Sequence, residues 1–354
     1  MSLLQTPLRA GAFHLRNRIV MAPLTRCRAD AGRVPNALMA DYYRQRATAG
    51  LILSEATAVD PMGVGYPDTP GIWSPEQVEG WKLITQAVHA EGGQIALQLW
   101  HVGRISHSVY LNGAQPVAPS AIAASGHVSL LRPYQSFPVP RALDRAEIPA
   151  VIEAYRRGAQ NALAAGFDGV ELHGANGYLL DQFLQDGTNR RTDDYGGPVE
   201  NRARLMLEAV DAAISVWGAD RVGLHLAPRG DSHDMKDSNP AETFGYVARE
   251  AGRRGLAFLC AREGLVEPRL GPELKKAFGG VFIANQNFTR ESAEVEIAAG
   301  RADAVAWGKL FIANSDLVER FRSGASLNEP DSTTFYAAPG VDRERGYIDY
   351  PAIS

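Results

Sequence analysis

Asp168-Gly169-Val170-Glu171-Leu172-His173-Gly174-Ala175-Asn176-Gly177-Tyr178 is the stretch that decides the fold. Gly169 to Leu172 is a short apolar run, the mark of a buried strand in a parallel sheet. At its end the chain turns polar, where such a strand opens into a loop. There it carries two hydrogen-bond donors, His173 and Asn176, beside a phenol, Tyr178, that can give up a proton. Two donors on one substrate oxygen draw electrons out of a conjugated system, and a nearby acid can then protonate carbon. No side chain supplies a hydride, so the motif calls for a cofactor.

Outward from this stretch the same unit recurs. Apolar runs stand at 18–22, 51–54, 94–99, 169–172, 221–226, 256–259, 280–283 and 303–307. Segments with helical spacing fall between them, among them 74–91, 145–165, 198–217 and 291–299. Strands alternating with helices make βαβ units and a parallel sheet. About eight units predict an α/β fold, a (β/α)8 TIM barrel, whose usual size is roughly 250 residues. The surplus length predicts a hairpin under the barrel at 1–16, an excursion after the third strand at 103–143 with its own hairpin, and an irregular tail at 325–354. No linker divides the chain, so 1–354 is read as one domain.

Composition excludes several classes. The net charge is −4, which argues against nucleic acid or an anionic membrane as the main partner. Only two cysteines, Cys27 and Cys260, are present, too few for a disulfide framework and suited to a reducing compartment. The first ten residues lack the apolar core of a signal peptide, and no run nears the roughly 20 residues that cross a bilayer. A cytoplasmic protein is expected, as a monomer or homodimer. No His-Glu-x-x-His run or Cys/His cluster suggests a metal, and no Gly-x-Gly-x-x-Gly follows a strand. Any nicotinamide cofactor must therefore enter the barrel face itself.

In this architecture catalytic groups collect at the C-terminal strand ends. Those ends offer Pro23, Leu24 and Thr25; Glu55 and Ala56; Gln98, Trp100 and His101; His173, Asn176 and Tyr178; His225; Asn285, Gln286 and Asn287; and Gly308 with Lys309. The loops after strands seven and eight often hold phosphate in such barrels. Gly308 permits close backbone approach there and Lys309 adds charge. Blander readings compete. His14, His89 and His127 read as structural, Glu55 as a structural hydrogen-bonding group, and Cys27 as an inert thiol.

At these residues the chain resembles the Old Yellow Enzyme family of FMN-dependent ene-reductases, in particular its bacterial pentaerythritol tetranitrate, morphinone and N-ethylmaleimide reductase group. The resemblance runs from Asn17-Arg-Ile-Val-Met-Ala-Pro-Leu-Thr-Arg26 to Tyr347-Ile-Asp-Tyr-Pro351, with Gln98-Leu-Trp-His-Val-Gly-Arg104 and the run from Glu171 to Arg204 as its most specific markers. It implies that Pro23, Leu24, Ala56 and Gln98 hold the flavin ring and that Thr25 bonds its C4 carbonyl. His173 and Asn176 would grip the substrate oxygen, and Tyr178 would donate the proton. Tyr66, Trp100 and Tyr347 would wall the cavity. The implied reaction is ping-pong. NADPH (or NADH) delivers hydride to flavin N5, which passes it to an activated alkene (an enone, nitroalkene or maleimide), with nitrate esters fitting the same oxygen site.

Three departures stand out. His225 replaces an Arg that lies against the flavin N1/C2 edge. With a reference pKa near 6.5 it predicts lost positive charge and a weakened flavin site or turnover. That defines the alternative, an FMN-binding barrel with impaired activity, unless Arg229 compensates. Lys309 replaces an Arg at the FMN phosphate, keeping charge without bidentate geometry. Asn285-Gln286-Asn287 replaces a more Gly-rich turn. A cofactor-free aldolase using Lys309 as a Schiff-base amine is the remaining rival, and it leaves Thr25, Gln98 and Tyr178 unexplained.

Overall fold

The computed structural model describes residues 2–230, 232–337, 340 and 342–353. The expected hairpin region 1–16 and tail 325–354 thus include a few positions outside the described residues, as does the loop 230–240. Eight parallel strands pair in sequence order: Ile19–Met21, Leu51–Leu53, Ile95–Trp100, Gly169–Gly174, Val222–Leu226, Phe258–Arg262, Val281–Asn285 and Ala304–Trp307. The eighth pairs back onto the first, with Val305 opposite Ile19, and the barrel closes. Closure removes the sheet edges, and helices such as Pro75–Ala90, Ile148–Ala164, Arg204–Trp217 and Pro240–Arg254 cover the outside.

The two faces of each strand explain its composition. Val170, Leu172, Val222, Leu224 and Leu226 belong to the large core between strands and helices. The period of two then turns Glu171, His173 and His225 inward. Apolar residues thus alternate with polar ones, and Glu171 and His225 find their partners on the adjacent strands.

The lower end of the barrel is a dry plug. Leu8–Ala10 and Phe13–Leu15 form the expected antiparallel hairpin. Its Phe13 meets Phe258 edge to face, centroids 6.0 Å apart, inside a cluster with Val20, Leu51, Leu53 and Ile283. The rings leave no room for neighbours: a Cβ on Gly169 would lie 2.4 Å from Phe13, and one on Gly223 2.2 Å from Phe258. Both positions are glycine because an aromatic ring occupies the side-chain space.

Three details differ from the sequence reading. The excursion at 103–143 is not a hairpin. Val117–Ala118 pairs in parallel with Arg141–Ala142, and a single antiparallel bridge joins His127 to Ser136. The sixth strand continues to Arg262, three residues past the expected run 256–259, because Cys260 and Ala261 are also apolar and buried and pairing with Val281–Asn285 extends through them. Finally, the tail is firmly held despite its irregularity. The buried guanidinium groups of Arg26, Arg28 and Arg46 donate to the carbonyl oxygens of Phe335, Arg343 and Tyr347. Charge-assisted bonds here replace a regular ladder.

Candidate active site

A cavity of about 980 Å³ opens at the C-terminal ends of the strands. Fifteen of the expected site residues line it: Pro23, Leu24, Thr25, Ala56, Gln98, Trp100, His173, Asn176, Tyr178, His225, Asn285, Gln286, Asn287, Gly308 and Lys309. They come from loops or strand ends on every side of the barrel, so closure alone converges them. His101 stands apart. Its Nδ1 accepts from the Gly103 N–H, shaping the turn after the third strand.

The loop after the fourth strand is built to present its side chains. Asn176 and Gly177 are successive left-handed residues, with φ of 59° and 78°, a geometry that suits Asn and Gly. Three groups pin this turn. The Asp181 carboxylate accepts from the Gly177 N–H, the Gln182 amide donates to the Gly177 carbonyl, and His233 Nδ1 lies 2.7 Å from the Asn176 carbonyl oxygen. Tyr178 then lies with its hydroxyl 2.9 Å from that of Tyr66. Burial raises the Tyr178 pKa, so the phenol keeps its proton until a stronger base forms beside it. Trp100 stacks on Tyr66 and meets Tyr178 edge to face, at 5.5 and 5.0 Å.

His173 is 5% exposed, and its Nδ1 has no hydrogen-bond partner. Burial, aided by His225 and Arg262, holds its pKa well below 6.5, so the ring is a neutral donor at neutral pH. Gln98 donates to Glu171 over 2.7 Å, but its Oε1 is buried and unpaired, as is Trp100 Nε1. Buried polar groups without partners are uncommon and costly. Here Gln98, Trp100 and His173 all belong to the cavity wall.

His225 corrects the sequence reading. Its Nδ1 lies 3.1 Å from Glu171 Oε1, and its Nε2 faces the Cys260 sulfur at 3.8 Å. Burial alone would discharge the ring. Cys260 and the Glu171 carboxylate outweigh it and raise the pKa to about 10. A fully buried carboxylate that the sequence does not connect to His225 thus stands beside the ring and favours its charged form. These three residues offer ligand atoms within 4.8 Å of one another. Both imidazole nitrogens already face the other two, which makes this an ion-pair network without invoking an ion. Arg229 plays no compensating part: it is paired with Glu263 at 2.6 Å and is not on the cavity wall.

Tyr347 is a second correction. It does not wall the cavity. Its ring stacks on Tyr42 at 4.1 Å and lies under Arg28, whose guanidinium carbon is 4.4 Å from the ring centre. It anchors the tail, and Tyr336 from the same tail reaches the cavity instead. Tyr66 likewise stands behind Trp100 and Tyr178 rather than on the wall, holding the Tyr178 hydroxyl. Glu55 behaves as expected: it takes hydrogen bonds from Tyr43 and the Arg26 N–H, and burial raises its pKa to about 7. Arg262 went unread altogether. It ends the sixth strand, directly after the buried apolar Cys260 and Ala261, and donates to Asn176 Oδ1 over 2.7 Å.

The family model described as NADH:flavin oxidoreductase / NADH oxidase matches residues 3–328. The chain belongs to that family. A solved structure titled as morphinone reductase in complex with tetrahydroNAD is 48% identical, covering 99% of this chain and 98% of its own, with a TM-score of 0.94. An Old Yellow Enzyme homologue from Zymomonas mobilis is 45% identical over 99% of both chains, with a TM-score of 0.95. 12-oxophytodienoate reductase 7 of Oryza sativa subsp. japonica is 43% identical over 98% of this chain and 94% of its own. This family member is thus a flavin oxidoreductase on an Old Yellow Enzyme barrel.

The residues present fit FMN. The unpaired Gln98 Oε1 suits a ring N–H, and Thr25 supplies a hydroxyl at the same wall. The turn Asn285–Asn287 has two left-handed residues, Gln286 and Asn287, which turn the backbone into the cavity near Gly308 and the Lys309 ammonium. That end suits a phosphate.

Proposed function

We propose that this enzyme reduces activated alkenes, such as enones, nitroalkenes and maleimides, with NADPH or NADH as the electron source in alternating half-reactions. The reading rests on one observation: a neutral His173, Asn176 and the protonated Tyr178 converge on a cavity whose wall carries unpaired flavin-compatible groups. Pro23, Leu24, Thr25, Ala56, Gln98 and His225 would hold the ring, and Asn285, Gln286, Asn287, Gly308 and Lys309 the phosphate. Bound FMN supplies a hydride store between nicotinamide and alkene.

The chain's own contribution is differential binding. His173 and Asn176 donate hydrogen bonds to the carbonyl or nitro oxygen, and these strengthen as negative charge builds there. Tyr178 donates its proton to the α-carbon. Its high pKa suits that role, since a carbanion is a far stronger base than phenolate, and Tyr66 steadies the phenolate left behind. Glu171, 3.1 Å from His225 Nδ1, supports a positive charge on that ring beside the pocket. No described helix is long and apolar enough to cross a membrane. The two free, buried cysteines suit a reducing, cytoplasmic setting.

The test is the visible spectrum of purified protein under anaerobic conditions, before and after NADPH and then 2-cyclohexenone. Flavin bands that bleach and return support the reading. Bands that bleach and stay bleached with every enone, nitroalkene and maleimide tried would end it.

A further inference from the structure

Arg262, at the end of the sixth strand, and Asn176, in the loop after the fourth, meet over the cavity. Arg262 closes the sixth strand, opposite Asn285 in register, and both it and Asn176 line the cavity. Its Nη1 donates to Asn176 Oδ1 over 2.7 Å. A guanidinium only donates, so it can take only the oxygen edge of the amide. The amide –NH2 is thereby turned away from Arg262, and the edge offered to a substrate oxygen is a donor. With the backbone carbonyl of Asn176 already held by His233, the side chain is fixed from both ends.

One hydrogen bond uses one of the five N–H groups of a guanidinium. Among the described residues Arg262 makes no other, and no carboxylate lies within ion-pair distance of it. Arg229, at the neighbouring strand end, is instead tied to Glu263 and to the Gly264 and Val266 carbonyls. The positive charge of Arg262 also reaches both reacting groups: it adds to the lowering of His173 and opposes the rise of Tyr178. A cation held beside the oxygen site, half-buried and with donors to spare, is a place for an oxyanion.

We infer that Arg262 is the specificity-determining residue of the cavity, fixing Asn176 as a donor and using its remaining N–H groups to bind a carboxylate on the acceptor, so that alkenes carrying one are preferred. The inference rests on the reductase reading above and names its substrate class. The same chemistry would also suit a phosphate of the nicotinamide nucleotide. The two half-reactions separate these sources, since only one of them contains the alkene.

The probe is (E)-4-oxopent-2-enoate against its methyl ester, which differ in charge and little in shape. Wild type should favour the acid. In Arg262→Gln the acid-to-ester ratio of kcat/KM should fall roughly tenfold, mainly through KM for the acid. Arg262→Lys should recover part of it, and any change in flavin bleaching by NADPH should be smaller than the change in the acid-to-ester ratio. As a check that needs no variant, acetate at fixed ionic strength should raise KM for the acid more than for the ester. Equal ratios in wild type and Arg262→Gln, an effect confined to NADPH, or acetate acting alike on both acceptors would overturn the inference and leave the reductase reading standing. Wild type that bleaches with NADPH but reduces neither acceptor would bring down both.

Discussion

At its lower end the barrel buries Phe13, Phe258, Leu51 and Ile283 in one apolar cluster beside two glycines. At its upper end the same strands bury Gln98, Glu171, His173 and His225, and leave Gln98 Oε1 and His173 Nδ1 unpaired. The strands are continuous between the two ends, so backbone pairing cannot be what separates them. The side chains do. The plug packs apolar side chains on one another and stabilises. The open end leaves buried polar groups of the cavity wall unpartnered, where a ligand can pair with them. Stability and chemistry are thus divided along one barrel axis.

The comparison is sharpest at Phe258. Phe258→Ala should cost about 3–5 kcal/mol of stability, seen in urea unfolding, while turnover per folded molecule stays near wild type. A large fall in kcat without lost stability would show that the plug is not separate from the site. Tyr178→Phe should do the reverse, lowering the alkene half-reaction on the order of a hundredfold and leaving the unfolding midpoint and the NADPH half-reaction almost unmoved.

His225 belongs to the upper end, and its effect is read through pH. It faces Glu171 and Cys260, with the neutral His173 ring 6.0 Å away. Because its proton is held more tightly in the folded chain than in the unfolded one, its contribution to stability is complete below about pH 6.5. That contribution drains away as pH rises through about 10. Wild type should therefore lose more stability than His225→Gln between pH 7 and 10, and Glu171→Gln should flatten the slope. Parallel pH curves for all three proteins would mean that the ring is not charged. The smallest effect is expected at Tyr66→Phe, which removes one hydrogen bond of about 0.5–1.5 kcal/mol from Tyr178. It should slow the proton-transfer step severalfold, and a larger loss would place Tyr66 on the reacting side of the cavity.

What could be read in the chain followed from periodicity and from strand ends. The runs at 169–172 and 221–226 show the strands, and the polar residues just beyond them lie where a barrel collects its chemistry. The sixth strand shows how this reading fails. Its apolar run, taken only as far as Leu259, continues through the buried Cys260 and Ala261, so Arg262 is the first polar residue beyond it. Tyr347 fails differently: an aromatic residue in an irregular tail carries no periodicity to say which surface it meets, and three buried arginines from distant segments decide it.

By itself the sequence determined the alternation of strands and helices, the closed barrel it implies, and the catalytic pattern at His173, Asn176 and Tyr178, because each is written in residues close together along the chain. Only the tertiary structure decided the charge of His225, the orientation of the Asn176 amide and the place of Tyr347. Each of these depends on a partner 54, 86 or 305 positions away, and a pKa, an amide's free edge and a ring's neighbours are properties of the space around a side chain rather than of the side chain itself.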